Sequence, residues 1–154
     1  MYSIVVRMQI RKAFAELNKG NYKAVVSQFS PGAEHVFYGK SALGGSRYTP
    51  ASIGKWYKRL PVIFPDLKFD LKAITVNGWP WATTVGVEWV DHFTLQDGSR
   101  GSNQGVHMFR LKWGKVASLH IYCDTVKLDE MLGRQMAQGV KEAGEGPIED
   151  AKPR

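Results

Sequence analysis

Few groups able to move protons fall inside the apolar stretches of this sequence, and two of them sit where they could meet. Asp91 closes the segment Val87-Glu88-Trp89-Val90-Asp91. His107 lies in Asn103-Gln104-Gly105-Val106-His107-Met108-Phe109. Both segments read as strands, in which successive side chains alternate faces. Val87, Trp89 and Asp91 then share one face, and Asn103, Gly105, His107 and Phe109 share one face of the next strand. A hairpin turning near Asp97-Gly98 sets Trp89 roughly opposite His107, with Asp91 diagonal to His107 and Asn103. A carboxylate can orient an imidazole and raise its basicity, or accept a proton itself. In apolar surroundings its own pKa moves upward. Asp91 is therefore the expected general base or orienter, and His107 the acid–base or oxyanion partner. The plainer alternative makes Asp91 a surface strand residue and His107 a hydrogen-bonded core histidine.

Other candidates are weaker. His35, on a short strand with Tyr38, reads as a residue of the pocket mouth. His35, His107 and Asp91 have the types of a two-histidine, one-carboxylate metal triad. No HxH or HExxH spacing supports one, so no metal is expected. No glycine-rich phosphate loop appears either, so no nucleotide cofactor is expected. Trp56, Trp79, Trp81, Trp89 and Trp113 make a heavy aromatic load. Most belong to core packing. Trp56 and Trp89 on a pocket wall, with Asn103, Phe109 and Ile121, would favour a flat apolar ligand. Cys123 has no partner motif for a nucleophile and reads as a small wall residue.

A chain of 154 residues suffices for one domain with a real core. A lone cysteine excludes an intramolecular disulfide and a cysteine zinc cluster. No apolar run approaches the ~18 residues that span a bilayer. The amphipathic start carries Arg7, Arg11 and Lys12 with no cleavage site after it, which argues against a secretory signal and for a cytoplasmic location. The net charge is +7. Its basic residues are scattered in the sequence, so neither nucleic acid nor a membrane is an expected partner.

Three helices must position these groups. Val6, Ile10, Ala13, Phe14 and Leu17 form one apolar stripe. Tyr22, Val25, Val26 and Phe29 form a second, and Ile53, Trp56, Tyr57 and Leu60 a third. Thr49 reads as the N-cap of the third, with Pro50 at its first position. Ala33–Tyr38 is expected as a short strand, and the Gly/Ser-rich stretch 39–48 as a loop at the pocket rim. Long strands follow over 67–76, 81–95, 102–112 and 116–123. Asp124 is the expected N-cap of a last helix. His120 and Tyr122 have the parity of the sheet's outer face. From Gly139 the composition turns polar, predicting a mobile tail over 139–154 after a single domain at 1–138.

Phe64-Pro65-Asp66-Leu67, Gly114-Lys115-Val116 and His120-Ile121-Tyr122-Cys123-Asp124, in this order of elements, resemble the nuclear transport factor 2-like superfamily over residues 4–133. That group includes ketosteroid isomerase, limonene epoxide hydrolase, scytalone dehydratase and the SnoaL-like polyketide cyclases. The resemblance implies an α+β cone, a strongly bent antiparallel sheet with three N-terminal helices on its concave face. It also implies a homodimer through the outer face, around Arg110, His120 and Tyr122. The steroid isomerase positions match Ala13, Val36 or Phe37, and His107 here. Those of the epoxide hydrolase match Trp89, Asp91 and Ile121. Neither constellation is reproduced whole. The expected activity is cofactor-independent isomerisation, cyclisation, dehydration or hydrolysis of a small apolar or aromatic molecule. The alternative is a non-catalytic ligand-binding or dimerisation module of the same fold.

Overall fold

The computed structural model describes residues 1–154. The elements run α1 (Tyr2–Asn18), α2 (Tyr22–Val26), β1 (Phe29–Phe37), β2 (Gly45–Arg47), α3 (Pro50–Ile63), β3 (Lys68–Trp79), β4 (Ala82–Thr94), β5 (Arg100–Lys112), β6 (Lys115–Cys123) and α4 (Thr125–Ala137), then a short 3-10 turn at Lys141–Gly144. The six strands form one sheet in the order β2-β1-β6-β5-β4-β3. Every neighbouring pair is antiparallel except β1 and β6, which run parallel. The sheet curls without closing, and the expected α+β cone is what forms. No helix is long and apolar enough to cross a membrane.

The apolar stripes do the folding. Val6, Ile10, Phe14 and Leu17 are the buried residues of α1. Ile53, Trp56, Tyr57, Leu60 and Ile63 are buried on α3. These helices cover the concave face, on which Val85, Val87, Trp89, Phe93, Leu119 and Ile121 are almost wholly enclosed. α3 starts where its caps say it should: the Thr49 hydroxyl accepts from Ser52 N at 3.2 Å, with Pro50 following. Asp124 caps α4 by accepting from Lys127 N at 3.0 Å.

Two cross-strand pairs explain how bulky rings fit the curl. Trp89 stands opposite Gly105, and Phe93 opposite Gly101. A Cβ on Gly105 would lie 2.7 Å from the Trp89 ring, and one on Gly101 would lie 2.2 Å from the Phe93 ring. Each ring therefore crosses the neighbouring strand through the space a side chain would occupy.

Two expectations about the chain's edges need correcting. The stretch 39–48 is not all loop: Leu43 does line an interior cavity, but Gly45–Arg47 form β2, Ala42 and Leu43 are buried, and Arg47 is fully buried. The segment after residue 138 is not detached. Ala143 is buried, the Ile148 carbonyl accepts from Arg47, and the Asp150 carboxylate accepts from Tyr48 N at 2.8 Å and from the Ser52 hydroxyl. Polar composition concealed this docking because capping and carbonyl bonds, rather than an apolar stripe, hold the segment.

Candidate functional site

Between the sheet and the helices lie two small apolar cavities of about 40 Å³ each. Each is large enough for a water or two and far too small for an organic ligand. The first is lined by Trp56, Trp89, Asp91, Asn103, His107, Ile121 and Cys123 among apolar neighbours. The second, between α1 and the β5–β6 hairpin, is lined by Ile10, Phe29, Phe109 and Val116. Leu17, Tyr57 and His107 border both, so they form a thin septum across the cone.

β4 and β5 carry the polar groups. Face parity is as the alternation predicts. The register differs by two residues, with Val87 opposite His107, Trp89 opposite Gly105 and Asp91 opposite Asn103. A two-residue shift keeps every side chain on its face but slides the partners. Asp91 and His107 therefore stand four residues apart along the ladder, roughly 13 Å at strand rise. The expected diagonal, water-bridged pair is replaced by a row in which Trp89 stands between them.

His107 is fully enclosed by aromatic rings. Phe14 lies 5.1 Å away edge-on, and Phe69 and Phe109 lie 5.9 and 5.8 Å away. The Trp89 indole N–H donates to His107 Nδ1 at 2.7 Å. Burial pulls the imidazole pKa down to about 3, so the ring is neutral. A neutral ring that accepts at Nδ1 carries its proton on Nε2 and is a hydrogen-bond donor there. His107 can thus donate a hydrogen bond at Nε2, and it is too weakly basic to hold a second proton at neutral pH.

Asp91 lies at the other end of the row. Its Oδ1 accepts from Asn103 N at 2.6 Å. Burial raises its pKa to about 6, against the lowering effects of that bond and of the His92 and Lys127 charges. Asn103 is held by donating to the Asp124 carbonyl at 3.1 Å and accepting from Gln104 N at 2.8 Å. Beside them burial, aided by the Asp91 charge, pushes the Cys123 thiol up to about 12, which keeps it protonated and unreactive.

The remaining sequence-predicted residues divide. Trp56, Trp89, Asn103 and Ile121 line the first cavity, and Phe109 lines the second. His35 lines neither. It is fully buried behind Trp56 and Tyr57, with ring centroids 4.6 and 5.3 Å away. Its Nδ1 accepts from Arg47 Nε at 3.1 Å, so it does not sit at a pocket mouth. No three His, Cys, Asp or Glu side chains converge. Sequence reasoning missed Tyr57, whose buried phenol is held protonated by its enclosure. The only signal was its place on the α3 stripe.

A curled, unclosed sheet cupping helices around an apolar interior, with a carboxyl and an imidazole on one face, defines a nuclear transport factor 2-like cone. More narrowly, the chain belongs to the SnoaL-like domain family, whose profile matches residues 10–119. Solved structures agree on the fold. TerC, co-crystallised with polyporic acid, is 20% identical with a TM-score of 0.67, covering 80% of this chain and 95% of that one. A putative isomerase from Bacillus subtilis is 18% identical, TM-score 0.69, covering 82% and 91%. A Catenulispora acidiphila protein with a ketosteroid isomerase-like fold, in complex with trimethylamine, is 14% identical, TM-score 0.67, covering 83% and 92%. Among curated proteins the chain finds no match.

Proposed function

We propose that this SnoaL-like protein binds a small, flat, apolar molecule in its cone and moves a proton on it without a cofactor. The observation that carries the reading is the pairing of opposite roles on one wall. Asp91 has a carboxyl raised to about 6, near working pH, as suits a general base. His107 is a neutral ring whose tautomer Trp89 fixes, as suits a donor to a developing oxyanion. The roughly 13 Å between them along the strand is a span for a ligand rather than a contact. A ligand that bridges it must widen the first cavity, which both residues line, by pushing back neighbours such as Leu17 and Tyr57. The polyporic acid bound by TerC, a fold relative, suggests flat aromatic quinones and enolisable ketones as the first class to try.

The test is proton exchange. A panel of enolisable aromatic ketones and hydroxyquinones is incubated with the protein in D₂O, and deuterium uptake is followed by mass spectrometry. Catalysed exchange should rise through pH ~6 as Asp91 ionises and fall ~10²–10⁴-fold in Asp91→Asn. His107→Gln should lower the rate while leaving that pH midpoint in place.

A second reading has its own support. The residues matching the steroid isomerase tyrosine and the epoxide hydrolase arginine are Ala13 and Trp89, and the cavities are nearly filled. Ligand binding without any exchange would make the cone a binding module. In either reading we propose a homodimer through the outer face. There Arg110, His120 and Tyr122 line a shallow groove, and Tyr38 stacks on Tyr122 at 4.6 Å. A monomer in sedimentation at micromolar concentration would exclude it.

A further inference from the structure

The exposed tryptophans are gathered at one pole. Trp79, Trp81 and Trp113 are 64%, 53% and 72% exposed. Trp79 and Trp81 stack at 6.0 Å, and Trp81 lies 6.2 Å from Trp113. They occupy the β3–β4 and β5–β6 turns, and Trp113 N donates to the Pro80 carbonyl at 2.6 Å, locking the two tips together. Trp113 holds φ +50, a conformation unfavourable for a bulky residue. The two tips are thus tied together and present three indoles to solvent.

The first two turns of α1 extend the same surface. Tyr2 bonds Thr83, which donates to the Trp79 carbonyl at 2.7 Å, and Gln9 donates to the Gly114 carbonyl at 2.6 Å. On that part of α1, Met1, Ile4, Val5 and Met8 are exposed. Charge around this pole is mainly positive; Glu16, which shares a groove with Val5, Met8 and Lys12, is paired with Lys19 at 3.6 Å. Residues 1–15, 71–87 and 105–119 contain no Asp or Glu, while Arg7, Arg11, Lys12, Lys112 and Lys115 are present. Scattered in the sequence, these cations are brought together by the hairpins and α1.

We propose that this pole docks on an anionic lipid bilayer surface. Indoles settle at the headgroup boundary, and neighbouring aliphatic groups enter the acyl margin. Lysines and arginines around them meet the negative surface potential. The aliphatic side chains favour lipid over single-stranded nucleic acid, which would use the rings and cations but not Ile4, Val5 or Met8. The docking is independent of whatever chemistry the cone performs.

The full chain should sediment with phosphatidylcholine vesicles that contain phosphatidylserine, and far less with phosphatidylcholine alone. Added salt should release it. Brominated phosphatidylcholine in those vesicles should quench the exposed indoles, a readout that needs no variant. The triple variant Trp79→Ser, Trp81→Ser, Trp113→Gly should lose at least ~10-fold in partitioning, since the buried apolar area goes. Lys112→Gln with Lys115→Gln should lose roughly 30-fold, about fivefold per charge. The proposal falls if the wild-type chain stays in the supernatant or if bromine leaves its fluorescence unchanged. It falls equally if the tryptophan variant binds as well as wild type, if the pole pairs two copies in place of vesicle binding, or if it binds only oligonucleotides.

Discussion

Two buried histidines, His107 and His35, occupy corners of this molecule that look alike and act differently. Both are buried, both accept a hydrogen bond at Nδ1, and burial lowers both pKa values. His107 borders both cavities, and its donor is a neutral indole. The donor to His35 is Arg47, a cation that also gives hydrogen bonds to the carbonyls of Gly44 at 2.9 Å, Gly45 at 3.0 Å and Ile148 at 2.6 Å. One corner leaves a polar ring facing space that a ligand can take. The other uses a polar ring to complete the shell of a buried cation that latches the C-terminal segment. Burial and a shifted pKa therefore do not by themselves mark a site; the cavity beside the ring does.

Breaking the latch should have the largest effect on stability. Arg47→Met leaves His35 Nδ1, the buried Gly44 carbonyl and the half-buried Gly45 and Ile148 carbonyls without their donor. Each buried acceptor left without a donor costs about 1–3 kcal/mol, so the loss should reach about 3–5 kcal/mol. Denaturant unfolding should show this loss, while ligand affinity measured well below the melting temperature stays within a few-fold of wild type. An unchanged midpoint would mean that the latch is not what distinguishes this corner.

Asp91 tests the other corner. Its folded pKa of about 6 lies above the ordinary aspartate value, so the native state holds the proton more tightly than the unfolded chain. Stability from this group is complete below pH ~4 and is lost as pH rises through 6, a loss of about 3 kcal/mol. Asp91→Asn should then stabilise the protein at pH 7 to 8 by up to that amount, with no gain below pH ~4. The same substitution should lower exchange ~10²–10⁴-fold, so a gain in stability with a loss of activity is expected. The two histidines act with the opposite sign. Their folded pKa values are depressed, so stability is full above ~6.5 and falls as the unfolded chain takes up protons below it. Melting temperatures measured across the acid range in wild type and Asp91→Asn separate the two slopes.

Trp89 makes a smaller difference. Trp89→Phe keeps a ring over Gly105 but orphans His107 Nδ1, at about 2 kcal/mol. It also frees the imidazole to change tautomer. Nitrogen chemical shifts of His107 should move from a single Nε2–H form toward a mixture. If they do not, Trp89 is packing and not positioning.

The fold was legible because periodicity is a property of local sequence. Val6 to Leu17 and Ile53 to Leu60 announce helices, and alternation puts Asp91 and His107 on the inner face whatever the register. The register itself was missed by two residues. Leu95 N bonds the Ser99 carbonyl at 2.8 Å, centring the turn on Asp97 and pairing Asp91 with Asn103. The Trp89–Gly105 match was readable in principle, because a tryptophan facing a glycine across a hairpin fixes one alignment. Arg47 and Asp150 were not readable. Each lies in a Gly- or Pro-rich stretch, and the bonds that join the two segments, Arg47 to the Ile148 carbonyl and Tyr48 N to Asp150, span about a hundred residues, which no pattern encodes.

The smallest predicted effect sharpens the comparison through a second carboxylate. Asp150 accepts hydrogen bonds from the Ser52 hydroxyl, Tyr48 N and Thr49 N, so it supplements Thr49 at the start of α3 from the far end of the chain. Those bonds, the Ser52 hydroxyl foremost, hold its pKa below the ordinary aspartate value. Asp150→Ala should cost about 1 kcal/mol, the usual worth of a helix cap, or roughly 2–4 °C of melting temperature in a chain of this size. The sign with pH is the reverse of that for Asp91. A depressed carboxylate stabilises fully above its unfolded pKa and loses that contribution as pH falls through the folded one. Wild type and Asp150→Ala should therefore differ at pH 7 and converge in acid, whereas wild type and Asp91→Asn differ at pH 7 in the other direction. If both variants were to shift stability the same way at neutral pH, the two carboxylates would share one role. The contrast between a latch that stabilises the fold and a site that strains it would then be lost.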